Sequence, residues 1–299
     1  MVVRRAWFLN FDAEEELARP QGYTPPLAMR ERSRDLRKHV TALLGPDDVV
    51  IEDGCPALDS TFESRAWCPT PRANKAFQKA CVRIVAAPDF ATIRRVNHRK
   101  FCADLGQFLP GATFAASEAE VFTTLAETSR HEHWLLKRPY GYAGRGRMKV
   151  TPLMGGDLDR IQPWIKASFR TGDGLQVEPL VNRRADFALH GYIHRHGEIV
   201  WGEITAQVCD EGGAWCSTHR ADGTALSQAE AVALRKEAAV AADALKSAGY
   251  WGPFGVDAYR YIDLEGCERF HPRGEINARY SMGWPVGMGD RRPDLESLL

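Results

Sequence analysis

Neither sign of charge is in excess in this 299-residue chain: 39 basic side chains stand against 39 acidic ones, for a formal net charge of zero. Without a basic surplus the composition offers nothing to attract nucleic acid, and without a polybasic tail nothing to hold an anionic membrane surface. No apolar run approaches the roughly 20 residues of a transmembrane helix. The short apolar run near the start is interrupted at Asn10 and Asp12 and lacks a small-residue cleavage site, so it reads as a first strand and not as a leader. Cysteines are few, odd in number and scattered, at 55, 68, 81, 102, 209, 216 and 267, with no CxxC pair. That pattern argues for a reducing, cytoplasmic setting and against a structural zinc site. Internal repeats and low-complexity tracts are also absent. What remains is an ordinary globular composition, 44% hydrophobic and 26% charged, long enough for two or three subdomains around a substantial core.

The most informative stretch is 249–284, GYWGPFGVDAYRYIDLEGCERFHPRGEINARYSMGW. It reads as two strands joined by a turn at Leu264-Glu265-Gly266, with Phe254, Val256 and Ala258 alternating with Gly255, Asp257 and Tyr259. Period-2 geometry puts Glu275 and Asn277 on one face, and antiparallel pairing can bring Asp257 beside them. Asp and Asn are disfavoured in strands, so three such residues together ask for a reason. Two carboxylates and an amide oxygen are hard ligands of the kind that hold Mg²⁺. Arg279 follows on the same face, where a guanidinium suits a phosphate or a developing anionic centre.

The rest of the chain reads as alternating strands and helices. A strand at 6–11, an acidic turn DAEEELARP, a helix over 31–44 with Leu36, Val40, Leu43 and Leu44 on one face, and a strand at 48–51 form a small α/β unit. The segment 67–71 reads as a strand end and surface turn, the wall of a substrate cleft being the sharper alternative. Helical composition runs over 90–109 up to Pro110-Gly111, and a capping box, Ser117 with Glu120, opens a helix over 117–128. Trp134-Leu135-Leu136-Lys137 reads as a buried strand ending in a cation. The loop Gly141-Tyr142-Ala143-Gly144-Arg145-Gly146-Arg147 follows, and its glycines let backbone N–H groups approach phosphate. It is neither a P-loop, since GK[ST] is missing, nor a Rossmann fingerprint. A helix over 156–169, an apolar segment 175–181, a strand 187–194 and its return at 199–208 come next. His190, His194 and His196 share a face, but imidazoles along one strand splay apart and rarely meet on one ion. The polar segment 210–224 reads as a loop for substrate recognition or as disorder. The alanine-rich helix 227–248 packs Val232, Leu234, Val240 and Leu245 on the C-terminal sheet, and a short polar tail follows Trp284.

Taken in order, GPFGVDAYRY with EINARYSMG, and strand-Lys137-Pro-glycine loop-strand before them, resemble the ATP-grasp superfamily over 97–284. That group includes D-alanine ligase, biotin carboxylase and small carboxylate-amine ligases. The loop departs from the serine-rich version of the D-alanine ligase relatives. The resemblance implies an α/β (α+β) ATP-grasp fold: a pre-ATP-grasp-like α/β domain at 1–95, a central subdomain with the glycine-rich loop at 96–174, and a C-terminal subdomain with the metal site at 175–299. It implies ATP as cofactor, with two Mg²⁺ ions for which Mn²⁺ can substitute, held by Asp257, Glu275 and Asn277. Lys100 and Lys137 would reach the phosphates, with Gly144, Arg145 and Gly146 covering them. Glu178 and Leu180 would line the adenine slot, Asp186 would bind the ribose, and Arg279 with Lys137 would act on the transferred phosphate.

The activity implied is ligation of a small-molecule or peptide carboxylate to an amine through an acyl phosphate, releasing ADP and phosphate, with closure of the 141–147 loop excluding water. A kinase on the same fold and a non-catalytic ATP-binding regulator are the competing readings, and a histidine metal-binding module is a weaker one. No nucleic acid or membrane partner is implied, and a homodimer is common among such relatives.

Overall fold

Short strands alternating with helices in the first third build a parallel sheet. In the computed structural model, which describes residues 3–106, 109–127, 132–141, 144–151, 158–170, 173–210 and 215–296, β1 (Arg4–Phe8) lies between β2 (Val49–Ile51) and β3 (Phe62–Ala66), parallel to both. The acidic segment expected as a turn is a helix, α1 (Ala13–Ala18), with Glu14 and Glu16 buried. Next come α2 (Leu27–Arg37) and α3 (Pro71–Lys79), whose Pro71 opens the helix behind the Thr70 cap. The helix expected over 31–44 starts earlier and stops at Arg37.

The helix expected over 90–109 is two helices, α4 (Phe90–Val96) and α5 (Arg99–Asp104), broken at Asn97-His98. The break is held from both sides. Asn97 Nδ2 donates to Ile93 O and Ala278 O, and the His98 ring caps α5 by accepting from Lys100 N. The central sheet has the order β4 (Thr113–Ala115), β7 (Leu175–Pro179), β5 (Trp134–Lys137), β6 (Arg147–Val150), all antiparallel, and carries α6 (Glu118–Glu127) and α7 (Leu158–Phe169). Val121, Leu125, Ile161 and Ile165 pack on Trp134, Leu136, Leu175 and Val177. Pairing therefore groups β7 with the central sheet, and the sheets divide between 179 and 182, downstream of the 174/175 division drawn from sequence. Tyr142 and Ala143 of the glycine loop, residues 107–108, 128 and 156–157 of expected helices, and 211–214 of the polar segment lie outside the described residues.

The C-terminal sheet runs β10 (Trp215–Arg220), β9 (Ile199–Cys209), β8 (Asn182–Ile193), β11 (Gly252–Ile262), β12 (Glu268–Asn277), again antiparallel. So half of the segment expected as a loop at 210–224 is a strand. The helix α8 (Gln228–Ser247), opened by the capping box Ser227/Glu230, covers one face of this sheet. Leu234, Ala238, Ala241, Ala242 and Leu245 meet Phe187, Leu189, Phe254, Val256 and Ala258. Alanine on the helix lets it approach closely. Val232 and Val240, expected in this contact, are instead 60% and 39% exposed, because the 3.6-residue period carries them off the buried stripe.

Two devices join the layers. Arg273 is buried where β12 departs from regular pairing, and its guanidinium donates to Cys102 O, Leu105 O and Gly106 O at the end of α5 and to Glu237 of α8. Carbonyls at a helix end are short of donors, and although Cys102 O also accepts from Leu105 N, this one side chain serves all three and fixes α5 against the sheet. The expected polar tail is the buried helix α9 (Trp284–Met288): Trp284 is fully buried and donates Nε1–H to Gly191 O, packing with Trp7, Trp67 and Tyr280 between the first and last layers. No helix among the described residues is long and apolar enough to cross a membrane.

Candidate active site

Alternation on β11 and β12 decides which side chains leave the α8 core and enter a cleft. Phe254, Val256 and Ala258 face α8, so Asp257 and Tyr259 face the other way, and opposite Asp257 stands Glu275. Asn277 and Arg279 continue the Glu275 face. All of these line one cavity of about 240 Å³ bounded by the C-terminal sheet, the central sheet and the first layer.

The two carboxylates and the amide form one connected group. Asn277 Nδ2 donates to Asp257 Oδ2 at 2.9 Å and Gln207 Nε2 to Oδ1 at 3.2 Å. Burial, then the facing Glu275, push the Asp257 carboxyl up to about 7, against hydrogen bonds from Gln207 and Asn277 that pull it down. Like charges crowded in a half-dry site favour a hard divalent cation, and the oxygen donors present fit Mg²⁺.

Cations converge on the same cleft. Lys137, at the end of β5, is buried and ion-paired with Glu178 on β7, whose other oxygen accepts from Gln176 Nε2 at 2.6 Å. Burial opposes the Glu178 charge, but Lys137, Arg183 and Arg99 bring its carboxyl below the usual range. Arg147 at the start of β6 has no side-chain partner among the described residues; burial, then Arg183 and Arg99, lower its affinity for its proton. Arg183 sits 3.8 Å above the Tyr259 ring and pairs with Asp186 at 3.2 Å.

One sequence-level assignment moves by a single residue. Lys100 does not line the cleft: it is 54% exposed and paired with Asp104 at 2.5 Å along α5. Arg99 lines it instead, bonded to Glu275 at 3.0 Å, to Arg138 O at 3.0 Å and to Gly141 O at 3.4 Å. It thus ties the Glu275 face of β12 to the base of the glycine loop. Adjacent helical residues point about 100° apart, and the break at Asn97-His98 decides which of the two faces inward.

Other expected residues are distributed as follows. Gly144, Arg145 and Asp186 line the cleft. Gly146 has φ +71° and its carbonyl accepts from Arg138 N, and a Cβ there would meet Tyr140 O at 3.2 Å, so the loop base requires glycine. Glu178 lies buried beneath the wall and does not line the cavity. Leu180 is 36% exposed, and its N–H is taken by His133 O. Arg279 is in the cleft, its guanidinium paired with Glu14 of α1 and bonded to Asn277 Oδ1 at 3.1 Å and Tyr280 O at 2.8 Å. The sequence signal for Glu14 was its place in an acidic run, where nothing distinguishes it from Glu15.

Trp67 is 3% exposed and lines the cleft, so the surface-turn reading of 67–71 fails at this residue, because its ring is buried between layers. His190 is buried against Gly255, Gly283 and Gly287, while His194 and His196 stack on each other at 5.2 Å, so the three imidazoles do not converge. Among the described residues, the group of metal-ligating side chains within reach of one another is Asp263, Glu265 and Cys267 on the β11–β12 turn, and none of the three lines the cleft.

No protein-family model and no curated protein sequence matches this chain. Solved structures do. D-alanyl-alanine synthetase A from Vibrio cholerae matches over 96% of this chain and 92% of its own, at 12% identity and a TM-score of 0.55. Biotin carboxylase from Campylobacter jejuni, in complex with β-γ-ATP, matches over 95% of this chain and 67% of its own, at 12% identity and TM-score 0.57. N5-carboxyaminoimidazole synthetase from Staphylococcus aureus, complexed with ADP, matches over 93% and 71%, at 11% identity and TM-score 0.53. At such identities the likeness is one of fold.

Proposed function

From the ATP-grasp fold that this chain has, we propose that it is an ATP-dependent ligase joining a carboxylate to an amine through an acyl phosphate. The observation that carries this is the charge of the cleft. In a chain of zero net charge, seven cationic side chains and three carboxylates line one cavity. Glu14 and Glu178 behind the wall offset two of the cations, and a surplus remains. Such a surplus in a partly dry cleft calls for a polyanion, and a triphosphate together with a carboxylate substrate is one.

The roles follow from position. Lys137 and Arg99, each fixed by a carboxylate, and the unpaired Arg147 bind the phosphates where β5, β6 and α5 meet. Asp257, Glu275 and Asn277 would hold Mg²⁺, which when bound supplies charge neutralisation on the triphosphate. Arg279, oriented by Glu14, faces the reacting centre, where it stabilises charge on the oxygen that receives the phosphoryl group and on the departing phosphate. A carboxylate oxygen of the substrate forms the new P–O bond as the bond to the ADP oxygen breaks with its electron pair; an amine then displaces phosphate from the acyl carbon and loses its proton. No side-chain nucleophile is required.

The test is release of ADP and phosphate by the purified protein with Mg·ATP against pooled carboxylates and amines, beside Glu275→Gln. Stimulated release in the wild type with at least 100-fold loss in the variant is expected. A stable phosphorylated product in place of free phosphate would make the protein a kinase, and failure to bind Mg·ATP in calorimetry would remove the reading.

A further inference from the structure

Part of the cleft lining, a compartment that the nucleotide reading does not use, consists of Phe11, Trp67, Trp215, Met282, Leu36 and Arg32. We propose that this compartment binds the carboxylate substrate and that the substrate is an aromatic carboxylic acid; the inference rests on the ligase reading above.

Three observations carry it. The first is the wall. Phe11 and Trp67 are 6% and 3% exposed and meet edge to face at 4.7 Å, so two rings are fixed before any ligand arrives. Trp215, on the edge strand β10, donates Nε1–H to Thr218 Oγ1 at 2.7 Å and packs against the His39 ring at 5.1 Å, which brings a third ring over from the other side. Rigid aromatic walls with a polarisable methionine between them suit a planar apolar group, through offset and edge-on contacts.

The second is Arg32. It is half-buried, and among the described residues it has no hydrogen-bond or ion-pair partner. Arg32 and Leu36 are four apart on α2, so they share a helix face, and both line the cavity. One cation beside apolar walls specifies one anionic group on an otherwise apolar molecule, a carboxylate and not a polyphosphate.

The third is continuity. Arg279 and Ser281 lie two apart just past the end of β12 and both line the cavity, while Tyr280 between them joins the aromatic cluster with Trp7 and Trp284. The compartment therefore adjoins Arg279, and Ser281 Oγ is buried and has no hydrogen-bond partner among the described residues.

The experiment uses the full chain with Mg·ATP and hydroxylamine, a small amine that captures an acyl phosphate as hydroxamate whatever the natural amine is. 3-Phenylpropionate, indole-3-acetate and phenylalanine are compared with acetate, succinate and alanine in wild type, Arg32→Gln and Trp215→Leu, with folding checked by circular dichroism. Aromatic acids should give hydroxamate at least tenfold faster than the aliphatic ones. Arg32→Gln should raise the KM for the acid about tenfold with the KM for ATP unchanged, and Trp215→Leu should narrow the aromatic preference. Turnover that favours the small acids, or an Arg32→Gln enzyme with an unchanged KM for the acid, overturns the proposal and leaves the ligase reading intact. Calorimetry with a non-hydrolysable ATP analogue separates the remaining cases. Aromatic acids that bind without turnover keep the compartment and overturn the ligase reading; acids that neither bind nor turn over overturn the compartment.

Discussion

The two ends of the cleft handle charge in opposite ways. At the inner end Lys137 is locked to Glu178, Arg99 to Glu275 and Arg183 to Asp186, and the side chains sit on sheet strands and a short helix whose end Arg273 secures. At the outer end a single arginine, Arg32, has no partner among the described residues and stands among rings supplied by three separate segments. Paired cations on rigid elements are pre-organised for a ligand that is always the same, whereas an unpaired one among apolar walls leaves its charge to be completed by the substrate. On the proposed function, the inner end would serve the constant nucleotide and the outer end the variable substrate.

Lys137→Met strikes the inner end hardest. It leaves Glu178 buried and unpaired, so unfolding free energy should fall by about 3–5 kcal/mol in a denaturant titration, with nucleotide binding lost as well. An equally stable variant would mean that Glu178 takes up a proton without strain and that the pair does not organise the inner end.

A pH titration probes the packing behind Gly283 of the cleft lining, where buried His190 lies against Gly255, Gly283 and Gly287. Burial holds its imidazole at about 4 instead of 6.5. Between those values the unfolded chain binds a proton that the folded chain does not, so stability rises with pH through this window and is lost as pH falls from about 6.5 to 4. The loss should approach about 3 kcal/mol. In His190→Gln the slope of melting temperature against pH over this range should flatten; an unchanged slope would show that another group titrates there.

Arg99→Gln and Lys100→Ala separate adjacent residues. The first should reduce turnover by about 100-fold, as loss of one charged donor to the phosphates would on the proposed function. Lys100, in an exposed pair with Asp104, should matter little: stability within about 0.5 kcal/mol and turnover within about twofold. Equal effects of the two substitutions would argue against a register of α5 that turns Arg99 inward and Lys100 to solvent. Between these extremes falls Glu14→Gln, which keeps a hydrogen bond to Arg279 but removes its countercharge. It should lower kcat about tenfold with little change in the KM for ATP, and a change confined to that KM would place Arg279 on the nucleotide instead.

What could be read in advance depended on whether a residue's partner was near in sequence. Asp257, Glu275, Asn277 and Arg279 were legible because a strand's two-residue period and one hairpin turn suffice to bring them together. Lys137 was legible as a cation ending an apolar strand before a glycine loop. Sequence alone misses Arg99 by one position, since the inward face of α5 depends on a helix break that Ala278, far along the chain, helps to hold. Glu14 reads from its neighbours as part of an acidic turn because its partner lies 265 residues away. Trp67 and α9 read as a surface turn and a polar tail because burial between layers leaves no local pattern.

The sequence by itself determined the hairpin strands β8, β9, β11 and β12, the capped helix α8 and the face of β12 that carries Glu275 and Asn277, all consequences of periodicity and local hydrogen bonding. Only the tertiary structure decided which arginine enters the cleft, which carboxylate steadies Arg279, and that Arg32 lines the cavity together with Phe11, Trp67 and Trp215. Those outcomes depend on the packing of three sheets against one another, and long-range burial and electrostatics are properties of the assembled layers that no short window of residues contains.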